Sequence, residues 1–181
     1  VHLPVQSGST SVLEAMKRSY SVEEYMALVD KLRAAMPGLC LSTDVIAGFP
    51  GETEMDFEAT LALMREVQYD SAFLFKYSER KGTAAFKALP DTVTEEEKGR
   101  RLDAIISLQN AISVEINSGY IGRVEEVLIQ GKARKGEGMV IGKTDGFKNI
   151  VFQRDGAQDN TFVNVEISSA TLRTLTGRIL R

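Results

Sequence analysis

Asp44 and Glu52 bracket the run DVIAGFPGE, in which Gly48 and Gly51 would let a ligand approach the main chain closely. An apolar, β-rich run precedes this segment and a helical pattern opens at Thr53, so the turn lies between the carboxyl end of a strand and the amino end of a helix. Sheets covered by helices place ligands at that position, and a helix N-terminus favours an anion or a polar edge. No Lys-Ser or Lys-Thr follows the glycines, which excludes a phosphate-binding P-loop. The same residues also fit an ordinary Pro-Gly turn between strand and helix.

A second strand end supplies Gln6, Ser7, Gly8 and Ser9 directly after Pro4 and Val5. The Gln6 amide can donate and accept, and Arg18, twelve residues on, can reach back from the following helix to a carboxylate. With Asp44 from a neighbouring strand, these groups suit a ligand with a ribose diol and an amino-acid end. Each also has a plain role: Gln6 and Ser7 as turn formers, Arg18 as a solvated helix residue, Asp44 as a cap. In the tail, Lys132, Arg134 and Lys135 crowd a glycine-flanked loop, and Lys143, Lys148 and Arg154 lie around Phe147 and Phe152. Basic and aromatic residues interleaved on a small barrel suit phosphate contacts with base stacking. A solvated loop with two core phenylalanines accounts for the same pattern.

Other reactive side chains read as structural. His2 is a strand residue with no second metal ligand near it, and Cys40, between Leu39 and Leu41, reads as a buried small hydrophobe. Methionines at helical spacing belong to the core. Glu95, Glu96 and Glu97 read as a helix N-terminus complementing the dipole, not as a metal site.

The elements that must position these groups alternate strand and helix over residues 1–116. Residues 2–5 end a strand, a Ser-Gly-Ser-Thr turn leads to a short helix carrying Leu13, Met16 and Tyr20, and Ser21 with Glu24 forms a capping box. Val22, Tyr25, Met26, Val29, Leu32 and Met36 then repeat at helical spacing until Pro37 and Gly38 stop them. Residues 39–49 read as a strand buried on both faces, Thr53 opens a helix with Phe57, Leu61, Met64 and Val67 on one side, and residues 70–77 form another apolar strand. This βαβαβ series predicts a parallel sheet covered by helices. After a loop punctuated by Gly and Pro, Thr94 and Glu97 cap a long helix with Leu102, Ile105, Ile106, Gln109, Ile112 and Ile116 along one stripe.

Helical periodicity then stops. Short apolar runs follow at 124–129, 139–141 and 150–152, then the alternating Val163, Val165 and Ile167, with Asp145-Gly146 and Asp155-Gly156 as turns. Five or so short strands in about sixty residues predict a small β-barrel of the size of an oligonucleotide-binding fold.

Charge divides at the same place. Residues 1–116 hold 12 Lys+Arg against 18 Asp+Glu and residues 117–181 hold 10 against 7, so a net −6 is followed by +3. We assign residues 1–117 and 118–181 to two domains. A chain of 181 residues with 43% hydrophobic and 26% charged residues excludes disorder and collagen-like architecture. The longest uncharged stretch, residues 1–13, is too short and too polar to span a bilayer, and no signal-peptide pattern is present. One cysteine cannot close an internal disulfide, so a cytoplasmic location is expected. One cysteine and one histidine cannot build a structural zinc site or a cysteine-ligated iron–sulfur cluster from this chain alone. The start at Val1, inside a strand pattern, reads as an excised fragment whose open sheet edge invites self-association.

Three segments in this order, HLPVQSGSTSVLEAMKRSY (residues 2–20), LSTDVIAGFPGETEMDFEATL (41–61) and DSAFLFKYSERKGTAA (70–85), resemble the second half of a radical SAM methylthiotransferase. FKYSER and the later SLQNAISVEIN most resemble the member that adds a 2-methylthio group to N6-isopentenyladenosine in tRNA. From Gly119 the tail resembles a TRAM domain, a small RNA-binding β-barrel. The resemblance implies an α/β half of a radical SAM barrel followed by an all-β TRAM barrel. It implies S-adenosyl-L-methionine (SAM) held at Gln6, Ser7, Gly8, Arg18, Asp44, Ile46, Gly48 and Ser78. Gln6 and Asp44 would meet the ribose hydroxyls, Arg18 the methionyl carboxylate, and Ile46 with Gly48 the adenine, while Ser78 adds a backbone contact.

The family form of the glycine motif has Gly where this chain has Asp44, and its acidic residue falls one position later here, at Glu52. The resemblance further implies binding of a tRNA anticodon stem-loop through Lys132, Arg134, Lys135, Lys143, Phe147 and Lys148. The family's [4Fe-4S] clusters sit on cysteines of a CxxxCxxC loop and of an N-terminal domain, neither of which this sequence contains. By resemblance they belong to an upstream part of the same polypeptide, so no catalytic or metal residue is assigned here and the chain alone is expected to be inactive. The alternatives are a non-catalytic RNA-binding adaptor, or a sibling enzyme acting on threonylcarbamoyladenosine or a ribosomal protein.

Overall fold

The computed structural model describes residues 1–82, 85, 86 and 89–180. Thr83, Ala84, Lys87 and Ala88, inside the predicted Gly/Pro loop, and Arg181 lie outside the described residues. The chain divides into two compact units, Val1–Ile112 and Ser113–Arg181.

In the first unit β1 (Ser42–Ala47) pairs in parallel with β2 (Ser71–Lys76), from Ser42 opposite Ser71 to Ala47 opposite Lys76. The predicted first strand runs parallel along the other edge of β1, but only as two isolated bridges, His2 to Ser42 and Gln6 to Val45. Pro4 is the reason, because it has no N–H to give to a ladder. The Thr43 hydroxyl replaces part of that ladder, donating to the Leu3 carbonyl at 2.9 Å and accepting from the Val5 N–H at 3.0 Å.

Helices α1 (Thr10–Ala15), α2 (Val22–Ala35) and α3 (Glu54–Val67) connect these segments. The Ser21–Glu24 capping box opens α2, and Gly38 past its end takes φ +79°. Thr53 opens α3 with a second reciprocal cap to Asp56, and that helix buries Phe57, Leu61, Leu63, Met64 and Val67. In α4 (Glu95–Ser118) the Thr94 hydroxyl caps the Glu97 N–H at 3.2 Å. Its buried line differs from the predicted stripe. Ile105, Gln109 and Ile112 are buried, Ile106 is 38% exposed, and the line continues toward the N-terminus through Lys98 and Arg101. Charged residues escape an apolar pattern, and here each has carboxylate partners that permit burial.

β1 is buried on one face. Thr43, Val45 and Ala47 are covered, whereas Ser42, Asp44 and Ile46 are half-buried, and Phe73 and Phe75 opposite them on β2 stand 60% and 51% exposed. The apolar runs predict burial on both faces, and in this chain the described residues cover only one. Cys40 is half-buried rather than buried.

The second unit is a closed barrel of β3 (Val124–Lys132), β4 (Met139–Lys143), β5 (Asn149–Gln153), β6 (Phe162–Ala170) and β7 (Leu175–Ile179), in the order β3-β4-β5-β7-β6. Neighbours are antiparallel except β5 and β7. Val127, Ile129, Val140, Ile150, Phe152, Val165, Ile167 and Leu175 fill it. The sequence gives no clear sign of β7, whose LTGRI has no alternation, yet it closes the ring and removes the sheet edges. The two tail phenylalanines part company: Phe152 is core, and Phe147, at φ +62°, is 77% exposed. Among the described residues no helix is long and apolar enough to cross a membrane.

Candidate functional site

At the carboxyl ends of β1 and β2 lies a cavity of about 470 Å³. Gln6 enters it from a left-handed backbone (φ +72°), pinned by its N–H to the Asp44 carbonyl and by the Ile46 N–H to its own carbonyl, both at 2.9 Å. Such a conformation costs a non-glycine residue about 1 kcal/mol or more and persists where the surroundings fix it. Lys17, also left-handed, turns the chain back after α1, and the Arg18 N–H closes on the Leu13 carbonyl at 2.9 Å, which brings Arg18 to the rim. Ile46, Phe49 and Tyr77 form an apolar wall, the last two rings edge to face at 5.2 Å, and Ser78 follows just past β2. The cavity thus unites a primary amide, a guanidinium and a flat apolar surface.

Gln6, Arg18, Ile46 and Ser78 line this space; Ser7, Gly8, Asp44 and Gly48 do not. Ser7 and Gly8 face α3, where the Gly8 N–H donates to the Thr60 hydroxyl at 2.9 Å and Ser7 Oγ lies 3.3 Å from the same oxygen. A Cβ on Gly8 would stand 2.5 Å from Thr60 Cα, so only glycine lets the loop lie on that helix. Asp44, on the open face of β1, lies 3.5 Å from His2 Nε2, while His2 Nδ1 lies 3.0 Å from Ser42 Oγ. Gly48 (φ +75°) is backed by the stem of Lys98, with which any Cβ would collide.

Four residues outside the predicted site hold these loops in place. Glu52 is buried, and its Oε2 accepts from the Gly48 N–H at 2.7 Å and from Arg101 Nη1 at 2.8 Å. Burial pushes the Glu52 carboxyl up, and the Arg101 guanidinium and Gly48 N–H oppose that rise. Arg101 also donates to the Glu52 carbonyl and to Glu97. Lys98, beneath Gly48, pairs with Asp91 and Glu95, its ammonium 5.4 Å from the Tyr77 ring centre. The run 95–97 is therefore more than a dipole complement, because Glu95 and Glu97 neutralise the buried cations of their own helix. Hydrogen bonds from Arg100 and Arg101 hold the Glu97 carboxyl at about 2.

Asp56 ties the ligand loop to α3. Its Oδ1 accepts from the hydroxyls of Ser9 (2.5 Å) and Ser11 (2.9 Å), and its Oδ2 from Thr53 N–H and Oγ1 (2.9 and 2.6 Å). Partial burial works against its charge, but these hydrogen bonds prevail and bring its pKa down to about 2. The TEMD sequence after the glycine turn carried that signal as a capping box.

In the barrel, Lys132, Arg134 and Lys135 are exposed at the β3–β4 connection, and Lys143, Phe147 and Lys148 stand at the opposite end of β4. Those ends are about 13 Å apart, at about 3.3 Å per residue. Arg154 belongs to the first end through its N–H to the Gly138 carbonyl, and its guanidinium is paired with Asp159 at 2.7 Å. Lys148 Nζ donates to Asn117 Oδ1 at 3.0 Å and lies 5.6 Å from the Tyr120 ring centre. Lys143 lies 5.3 Å from that of Phe147.

Two family models match separate parts of the chain. Residues 1–64 match the Radical SAM superfamily and residues 119–180 match the TRAM domain. The chain is 49% identical over 177 residues to the tRNA-2-methylthio-N(6)-dimethylallyladenosine synthase of Chlorobium luteolum, covering 98% of this chain and 40% of that one. The protein of the same name from Clostridium botulinum is 46% identical, covering 98% and 39%. The chain thus spans about two fifths of the length of these relatives. Among solved structures, coproporphyrinogen III oxidase from Escherichia coli, a radical SAM enzyme, aligns with a TM-score of 0.53 at 17% identity over 87% of this chain and 41% of its own, a likeness of fold.

Proposed function

We propose that this chain supplies part of the SAM site and the tRNA-holding barrel of a radical SAM enzyme that transfers a methylthio group to C2 of N6-isopentenyladenosine in tRNA. The observation that carries the reading is identity of 46–49% along 98% of the chain to synthases of that name, coupled to a cavity at the strand ends whose donors suit SAM. Arg18 takes the methionyl carboxylate, Gln6 takes the ribose hydroxyls, and Ile46 backs the adenine, with Ser78 closing the far side. Ser7, Gly8 and Gly48 contribute by shape, keeping the two loops against α3 and Lys98 so that main-chain groups face the ligand.

Bound SAM supplies the carbon radical and the methyl group of such a reaction. The radical needs a [4Fe-4S] cluster with three thiolate ligands, and this chain, with one cysteine, does not fit that group. The chain's own residues therefore bind and orient, and residues 118–181 hold an anticodon stem-loop in the cytoplasm. The test is nucleoside mass spectrometry of tRNA from a strain lacking the gene. Loss of the 2-methylthio form with accumulation of isopentenyladenosine supports the proposal. An unchanged isopentenyladenosine pool, with loss of a methylthio group elsewhere, would move the chain to a sibling substrate.

A further inference from the structure

A groove of about 530 Å³ opens on the outer face of the barrel around Leu128. Leu128 is paired with Lys143 on β4 and with Phe162 on β6, and directly paired residues share a face, so these two side chains flank it. The β4–β5 turn adds Asp145 and Phe147 to the wall. Phe147 and Phe162 are 77% and 64% exposed, and among the described residues neither touches another ring. Exposed apolar rings of that size on a small barrel signify a partner.

The polar part of the groove restricts which partner. Glu125 is half-buried, and its carboxylate has no hydrogen bond or ion pair among the described residues. Burial pushes that carboxyl up, nearby Arg123 opposes the rise and Asp145 adds to it. Glu125, Glu126 and Asp145 outnumber Lys143 in the groove lining and together disfavour phosphate, whereas Lys132, Arg134 and Lys135 cluster at the far end of β4. Exposed aromatic rings beside carboxylate acceptors suit a base rather than a backbone. A carboxylate accepts with two oxygens side by side, which matches N1–H and N2–H of guanine. Adenine and cytosine offer one amino group, and uracil one N–H between two carbonyls that a carboxylate repels.

We propose that this groove holds one unpaired guanine of single-stranded RNA, stacked against Phe147 and Phe162 with its N–H edge on Glu125. The inference rests on RNA binding by this barrel. The test is fluorescence anisotropy of the 181-residue chain with the labelled RNAs UUUUUUU, UUUGUUU, UUUAUUU and UUUCUUU. UUUGUUU is expected to bind about tenfold more tightly than UUUUUUU, and Glu125→Gln to remove that difference while leaving UUUUUUU unaffected. Phe147→Ala and Phe162→Ala are each expected to weaken UUUGUUU by about fivefold or more, as stacking of about 1–3 kcal/mol requires, with Phe162→Tyr restoring it. Equal affinity for all four RNAs overturns the guanine assignment. Unaltered affinity in both alanine variants, with a loss when Lys132, Arg134 and Lys135 are neutralised, overturns the groove and leaves RNA binding intact. Binding to no RNA overturns both, and capture of an arginine-containing peptide in its place gives the groove to a protein partner.

Discussion

Glu52 shows how a residue can matter to a ligand loop without facing the ligand. Its carboxylate takes the Gly48 N–H and the Arg101 guanidinium in a place with almost no water, the two side chains 1% and 6% exposed. Removing one partner of such a pair strands the other charge, which costs about 3–5 kcal/mol. Glu52→Ala is expected to fall at or below the low end of that range, because Glu97 still holds Arg101, and urea unfolding measures it. Glu52→Gln, which keeps an acceptor for Gly48, is expected to lose less. Asp56 makes the complementary case in pH. Its pKa lies at about 2 in the fold against an ordinary 3.8, so the ionised form is favoured by folding. The stability it lends is complete above about pH 4 and drains away as pH falls toward 2. Urea midpoints of the wild type and Asp56→Asn are expected to converge over that window, and a constant gap between pH 5 and 2 would refute the assignment.

At the scale of elements, β4 separates two basic clusters that the sequence lists close together. Lys132, Arg134 and Lys135 sit on one connection, whereas Lys148 is held by Asn117 at the other end. Phosphate contacts are therefore expected mainly from the first cluster. Each contact to a single strand adds about 0.7 to the slope of log affinity against log salt, so neutralising all three is expected to flatten the slope by about 2. A salt titration against a stem-loop RNA checks this, and an unchanged slope would move the phosphates elsewhere. Capping sequences made the helix starts legible: Ser21–Glu24, Thr53 and Thr94 each act locally, within one turn. β7 was hidden because its pairing comes from β5 and β6, not from its own alternation.

For the whole molecule two expectations follow, the first from the uncovered face of β1 and β2 and the second from the single cysteine. Phe73 and Phe75 present apolar surface beside Asp44 and Ile46, so the 181-residue chain is expected to self-associate. Sedimentation should show a dimer or larger species, and the Phe73→Glu, Phe75→Glu double variant should shift it toward monomer. A wild type that stays monomeric across a wide concentration range would count against this. Reconstitution with iron and sulfide is expected to leave no stoichiometric cluster absorbance, since only Cys40 offers a thiolate.

By itself the sequence determined the order of strands and helices, the change from an acidic α/β segment to a basic barrel, and the two strand-end loops around Gln6 and Gly48. Those features rest on periodicity, capping and turn chemistry, which act over a few residues. Only the tertiary structure decided which loop residues turn toward the cavity and which toward a helix. Ser7 and Gly8 follow Gln6 directly, yet Thr60, more than fifty residues on, draws them to α3. Glu52 finds Arg101 across 49 residues, and Phe147 parts from Phe152 because barrel closure admits one ring and leaves the other at a turn. Such choices depend on partners remote in the chain, and spacing along a sequence carries no record of them.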